Sequence, residues 1–216
     1  MLALSATLMA IVSQGIPLET DGYGYFGEIC AAARTSDGGL AIAGHAWSLE
    51  AGCIEILVMR LSPTGELLWA RTLRGTGDSR ACSITQTPDD GLAVAGITGE
   101  SGNHSLLVFK LGPTGELAWA RSFRGTGREY ACSIAGARGG GLTVTGYTWN
   151  PETESAYTLV FMLDDDGNRT DDGNGMDRVS ATTIFPYGLV DCALVVDDPG
   201  ASLRTFIGPA MFSEGD

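Results

Sequence analysis

ACSITQTPDDGLAVAGITGESGNHSLLVFKLGPTGELAWARSFRGTG, residues 81–127, carries the pattern that decides the fold. It divides into four short runs rich in apolar and β-branched residues: CSITQT, LAVAGIT, SLLVFKL and ELAWARSF. Their alternation follows the period of a strand rather than the 3.6-residue period of a helix. Between them stand turn signals at Asp89-Asp90-Gly91, at Gly99 to Asn103 and at Gly112-Pro113-Thr114-Gly115. Proline presets its φ there, and glycine supplies a positive φ at little cost. A two-residue hairpin after Thr87-Pro88 is expected to join the first two strands. Residues 28–165 contain no convincing helix.

The same text recurs. ICAAARTSDGGLAIAG at 29–44 and ACSIAGARGGGLTVTG at 131–146 align with 81–96, and EILVMRLSPTGELLWARTLRGTG at 55–77 aligns with 105–127. A third copy of the second half begins as YTLVFMLDDDGN at 157–168. Gly39, Gly91 and Gly141 mark a period of about fifty residues. A four-stranded unit at that period is the sequence signature of a β-propeller blade, because one meander has two apolar faces and cannot bury both alone. Small residues in the first strand suit a narrow centre, and Trp69 and Trp119 in the fourth suit the wider gap at the rim. A β-sandwich and an open solenoid share the strand signals, though a solenoid coil takes a shorter period.

Composition agrees. Glycine is 31 of 216 residues, about twice ordinary usage, without a G-x-y period, which indicates many tight turns. Apolar residues at 44% are enough for a core. A net charge of -13 argues against a nucleic-acid surface, which needs clustered cations. The five cysteines form no C-x-x-C, so neither a zinc knuckle nor a dithiol redox motif is indicated.

The units resemble the β-propeller repeats of bacterial and archaeal secreted or cell-surface proteins, which read roughly S-I … D-G-G-Y … A-G … L-x-K-L-D-x-x-G … W. The carriers here are Cys82-Ser83-Ile84, Asp90-Gly91-Leu92-Ala93-Val94-Ala95-Gly96, Leu107-Val108-Phe109-Lys110-Leu111 and Gly115-Glu116-Leu117-Ala118-Trp119. Residues 78–127 match best, 25–77 well and 128–168 in part. The resemblance implies an extracellular, surface or periplasmic location and a scaffold or binding role, and implies no chemistry.

The pattern fails at both ends. Copy three has Asp171 where Trp69 and Trp119 stand in the others. The expected divisions are residues 1–20 as an apolar strand or vestigial signal, 21–73, 74–123 and 124–175 as three blades, and 176–216 as a degenerate blade or closing strands. Three or four units make a small ring, part of an oligomeric ring, or part of a longer chain. The apolar segment MLALSATLMAIVSQGI is too short to span a bilayer and lacks a basic start. Its readings are a weak signal, a strand of the fold, or a start misplaced within a longer gene.

Candidate sites are few. Asp164, Asp166, Asn168 and Asp172 alternate oxygen donors as a calcium loop does. They depart from the EF-hand at Arg169 and Gly175, and the competing readings are a solvated acidic loop and the ordinary turn before the outer strand. Trp47 and Trp149 follow the second strands of copies one and three, with Thr98 read as their counterpart, and can stack on a sugar or peptide. Arg74 and Arg124 open the R-G-T-G connectors and can line one face of the blades. Cys30, Cys82 and Cys132 share one register position and read as small packing residues. No H-E-x-x-H, G-x-S-x-G, dinucleotide fingerprint or P-loop is present.

The sequence thus points to a non-catalytic binding or scaffold module that recognises protein or glycan through its loop face. No membrane span or cofactor other than calcium is indicated, and self-association would run through the terminal blade faces. A hydrolase or lyase built on central carboxylates is the alternative, as is a segment of a larger structural repeat protein.

Overall fold

A computed structural model describes residues 28–48, 51–100, 102–125, 127–137, 140–170 and 178–179. The expected N-terminal strand (1–20), the expected degenerate unit (176–216) apart from Arg178–Val179, and Asp172 lie outside them. Every regular element among the described residues is a strand: β1 Glu28–Arg34, β2 Leu40–Ser48, β3 Cys53–Leu61, β4 Leu67–Leu73, β5 Asp78–Gln86, β6 Leu92–Glu100, β7 Asn103–Leu111, β8 Leu117–Phe123, β9 Arg128–Gly136, β10 Leu142–Asn150, β11 Ser155–Leu163 and β12 Arg178–Val179. They form three antiparallel four-stranded meanders, β1-β2-β3-β4, β5-β6-β7-β8 and β9-β10-β11-β12. The protein is all-β and built of propeller-type blades; across the described residues the ring is not closed. Blade 3 reaches its fourth strand at Arg178–Val179, past the expected boundary at residue 175.

Side-chain size sets the stacking. Successive strand residues point to opposite faces. In blade 1 the face toward blade 2 carries Ala41, Ala43, Ile56 and Val58. Blade 2 answers with Leu92, Val94, Leu107, Phe109 and Leu111, and both sets are buried. The other face of blade 2 offers Ala93, Ala95, Leu106 and Val108 to Leu142, Val144, Phe161 and Leu163 of blade 3. A bulky face thus meets a face of smaller residues at each junction. Leu40, Ile42, Leu57, Met59 and Leu61 form a third buried cluster on the far face of blade 1, to which no other described blade contributes. The corresponding far face of blade 3 has changed character: Thr145 replaces Ala95, Thr158 replaces Leu106, and Met162 is 44% exposed.

The first hairpin differs from expectation. Thr87 and Gly91 close a loop of three residues, Pro88, Asp89 and Asp90, with Asp90 in the left-handed region at φ 61°. Gly38 and Gly140 fill that position in the other blades. A type I turn followed by a left-handed residue gives this three-residue geometry.

One clamp went unread in the sequence. The buried Arg60 guanidinium reaches the turn carboxylate of Asp37 at 2.8 Å, and the buried Lys110 ammonium reaches Asp89 at 2.7 Å. Each pair ties the β1–β2 type of turn to the third strand of its own blade. Copy three lacks both partners, with Gly139 and Met162 in their places, and this paired loss was the available signal. The hydrogen bond from Lys110, then that from Thr87, holds the Asp89 carboxyl down at about 2, and Arg60 holds Asp37 lower still. A depressed carboxyl contributes stability above its unfolded value, about 3.9, and loses it as pH falls toward the folded value. Urea midpoints of the wild-type chain should therefore fall more steeply between about pH 4 and pH 2 than those of Asp89→Asn. Parallel curves would show that the clamp contributes nothing.

Candidate functional site

Strand direction divides each blade into two edges. One edge carries the β1–β2 and β3–β4 turns and their counterparts. The other carries the β2–β3 turns and the connectors between blades.

On the first edge blades grip one another in sequence. Trp69, at the start of β4, donates its indole N–H to the Pro113 carbonyl of the next blade at 3.1 Å. Arg71 donates to Gly115 and Thr114 carbonyls of the same turn at 3.1 and 3.2 Å. Blade 2 repeats this on blade 3: Trp119 donates to the Asp165 carbonyl at 2.8 Å, and Arg121 to that of Asp166 at 3.1 Å. Each guanidinium also stands over its own tryptophan ring, 5.8 and 5.9 Å from the centroid. The turn glycines Gly115 (φ 84°) and Gly167 (φ 78°) lie against these rings, and a Cβ there would approach to 3.0 and 2.7 Å. The tryptophans fill the inter-blade gap as expected from sequence; the arginine two residues on was not foreseen.

Where blades 1 and 2 meet, this edge opens a cleft of about 530 Å³ lined by Ser36, Asp37, Arg60, Leu68, Trp69, Arg71, Asp90, Pro113 and Thr114. Its walls are pinned across the junction. The backbone N–H of Ser36 donates to Gln86 Oε1 at 2.7 Å, and the Ser36 hydroxyl donates to Asp90 Oδ1 at 2.8 Å. Gln86 Nε2 donates to the same Asp90 oxygen at 2.9 Å. Leu68 is 55% exposed at the rim. The volume falls within the usual range for small-ligand sites, while the lining is more polar than is usual for one and the cleft is open to solvent.

The four residues proposed from sequence as ligand contacts lie on the opposite edge. Trp47 and Trp149 are each the eighth residue of a second strand, and Arg74 and Arg124 follow β4 and β8. None lines the cleft. Trp47 is 39% exposed, and Arg124 hydrogen-bonds Asn103 Oδ1. Pairing register makes Gly99, not Thr98, the counterpart of the two tryptophans. Gly99 has φ 139°, and a Cβ there would strike the Asn103 carbonyl, so no tryptophan can take that place in blade 2.

The three described members of the proposed calcium set, Asp164, Asp166 and Asn168, belong to one turn. Asp164 Oδ1 accepts backbone N–H groups of Asp166 and Asn168 at 3.1 and 2.7 Å, and its Oδ2 accepts Asn168 Nδ2 at 3.2 Å. These bonds, that from the Asn168 backbone foremost, hold the Asp164 carboxyl below its ordinary range. Asp165 instead accepts the Gly141 N–H at 3.0 Å. Among the described residues no three His, Cys, Asp or Glu side chains converge as metal ligands.

The inner strands hold a second constellation. Cys30, Cys82 and Cys132 are each the extra residue of a β-bulge, since Ile29 pairs Gly44 while Ala31 pairs Ala43, with matching irregularities in β5 and β9. Bulges re-aim side chains. Only in blade 1 do the flanking positions carry Glu28 and His45; blades 2 and 3 have Arg80 with Ile97 and Tyr130 with Tyr147. Cys30 Sγ lies 3.4 Å from His45 Nδ1, and His45 Nε2 lies 3.5 Å from Glu28 Oε2. Burial raises the Cys30 thiol and lowers the His45 imidazole from their ordinary values. The shared cysteine register was legible in the sequence; the meeting with His45 depends on the bulge.

Fold and edges together define an array of propeller-type blades with an inter-blade cleft. No protein-family model matches the chain, and no curated protein does. Two solved structures are similar in part. One is a protein of unknown function from Bacteroides caccae, with 11% identity and a TM-score of 0.40, covering 72% of this chain and 61% of that one. The other is a fucose lectin from Kordia zhangzhouensis in complex with methyl-fucoside, with 10% identity and a TM-score of 0.38, covering 62% of this chain and 92% of that one. The chain thus spans about three-fifths of the Bacteroides protein. Neither likeness assigns it a ligand. Among the described residues no helix is long and apolar enough to cross a membrane.

Proposed function

We propose that this chain is a non-catalytic binding module of the secreted or cell-surface propeller-repeat type, and that it seats a protein segment or glycan in the cleft between blades 1 and 2. The observation that supports this reading is the cleft itself. Its polar groups are held by bonds that cross the blade junction, so the seat is organised before any ligand arrives, which lowers the ordering cost of binding. Leu68, Pro113 and Trp69 offer apolar surface, and Asp90, Thr114 and Ser36 offer a polar margin. That mixture suits a ligand with one apolar face and hydroxyls or amides at its edge.

The test is a screen of the whole chain against a panel of methyl glycosides and a displayed peptide library, with Leu68→Arg screened alongside. Leu68 is mostly exposed, so the variant should unfold like the wild type. Ligands found with the wild type should bind Leu68→Arg about tenfold or more weakly, the loss expected for a contact residue worth more than about 1.4 kcal/mol. A screen without ligands, or ligands held equally by both proteins, would overturn the assignment.

A further inference from the structure

We propose that Cys30, His45 and Glu28 form a base-assisted nucleophilic thiol site that exchanges with low-molecular-weight disulfides, independent of the cleft. Three observations carry it. Cys30 is exposed as a residue although its sulfur is partly desolvated, and it sits on a bulge, which aims the side chain away from the regular ladder. The thiol proton has two acceptors in reach, the Glu28 backbone carbonyl at 3.9 Å and His45 Nδ1 at 3.4 Å, and the imidazole is the nearer. The Nε2 edge of the ring faces Glu28 Oε2 at 3.5 Å, and a proton placed on Nε2 toward that carboxylate leaves Nδ1 the basic nitrogen. Nucleophile, base and orienting carboxylate in this order are the arrangement that activates a thiol held neutral at rest.

The charges facing the group oppose spontaneous ionisation of the thiol, so reactivity above that of a plain thiol has to come from the adjacent base. Burial and the neighbouring Glu28 carboxylate raise the thiol, while Arg80 on β5 opposes them. Burial, then Arg80, lowers the imidazole against the opposing pull of Glu28. Thiol and base are therefore both neutral near pH 7, and the thiolate forms as attack proceeds. In the step, Cys30 Sγ attacks one sulfur of the disulfide and its proton passes to His45 Nδ1. The S–S bond breaks, and the leaving thiolate takes that proton. Cys30 is oxidised to a mixed disulfide, and the departing half of the substrate is reduced to a thiol. Attack on sulfur needs no oxyanion site.

Cys82 and Cys132 occupy the same bulge position with Arg80 and Ile97, or Tyr130 and Tyr147, in place of the carboxylate and imidazole; both are less exposed than Cys30, so the pH profile, not the rate alone, separates base assistance from access. The reduced full-length chain is treated with glutathione disulfide between pH 5 and pH 9, and each cysteine is followed by peptide mass mapping. Cys30 should react about tenfold or more faster than Cys82 and Cys132 at pH 7. Its rate should rise with deprotonation of His45 and be level through neutrality. In His45→Asn the level region should vanish, and the rate should climb only with thiol ionisation. Glu28→Gln, changed at an exposed side chain, tests positioning if the first variant fails to fold: the acid limb should move to lower pH and the plateau should fall. Equal rates for the three thiols, or profiles unmoved by both variants, would overturn the proposal.

Discussion

Truncating Phe109 to alanine should lower the unfolding free energy by about 3–5 kcal/mol, the range for removing a buried aromatic ring. Phe109 lies on the bulky face of blade 2, is wholly buried, and fills the space left by Ala41 and Ala43 across the junction. The pocket has little means of collapse, because its walls are backbone-bonded strands of two different sheets. Typical domains have only about 5–15 kcal/mol in reserve, so the variant sacrifices a large share of the whole. Leu117→Ala, at a residue 54% exposed, is the matched reference and should change stability by no more than about 0.5 kcal/mol. Urea unfolding of both variants decides the matter. A Phe109→Ala midpoint equal to that of Leu117→Ala would mean that the two blades do not stack as described.

Gly96→Ala should be nearly as damaging, at about 3 kcal/mol or more, for a different reason. Gly96 stands opposite the bulge in β5, where a Cβ would strike the Arg80 carbonyl oxygen and crowd the Ala81 Cα. Those are backbone atoms, so the clash cannot be relieved by turning a side chain. Gly44 and Gly146 stand in the same relation to Glu28 and Tyr130. The same substitution at Gly136, where an added Cβ meets nothing, should be neutral or mildly stabilising. The thermal midpoints of the two alanine variants should therefore separate by several degrees in a domain of this size. Coincident midpoints would show that the bulge yields without cost.

The contrast between Gly96 and Gly136 also shows how far the sequence could be read. Repeating turn glycines, alternating apolar runs and outer-strand tryptophans made the blades legible, because each is a local signal repeated in register. The bulge is different. It adds one residue to a strand without altering composition, so Cys30 reads as a packing residue like Cys82 and Cys132, and nothing local says that it will meet His45. The Asp37–Arg60 and Asp89–Lys110 clamps were hidden by distance along the chain, although copy three loses both partners together. Trp47 and Trp149 were chosen as ligand contacts because exposed aromatics attract that reading. The cleft instead draws on two blades at once, a juxtaposition that appears only after stacking.

The Trp-x-Arg grip has a direction, and this has a consequence for how such a chain can grow. A blade carries its hook on the fourth strand and its eye on the preceding turn, and only blade 2 among the described blades is shown using both. A tandem copy of that segment would arrive with the adhesive for its successor and the receptacle for its predecessor already encoded. Genetic duplication could then lengthen or shorten the array without redesigning any junction. With Asp171 where the next hook would stand, copy three reads as the place where that inheritance was given up.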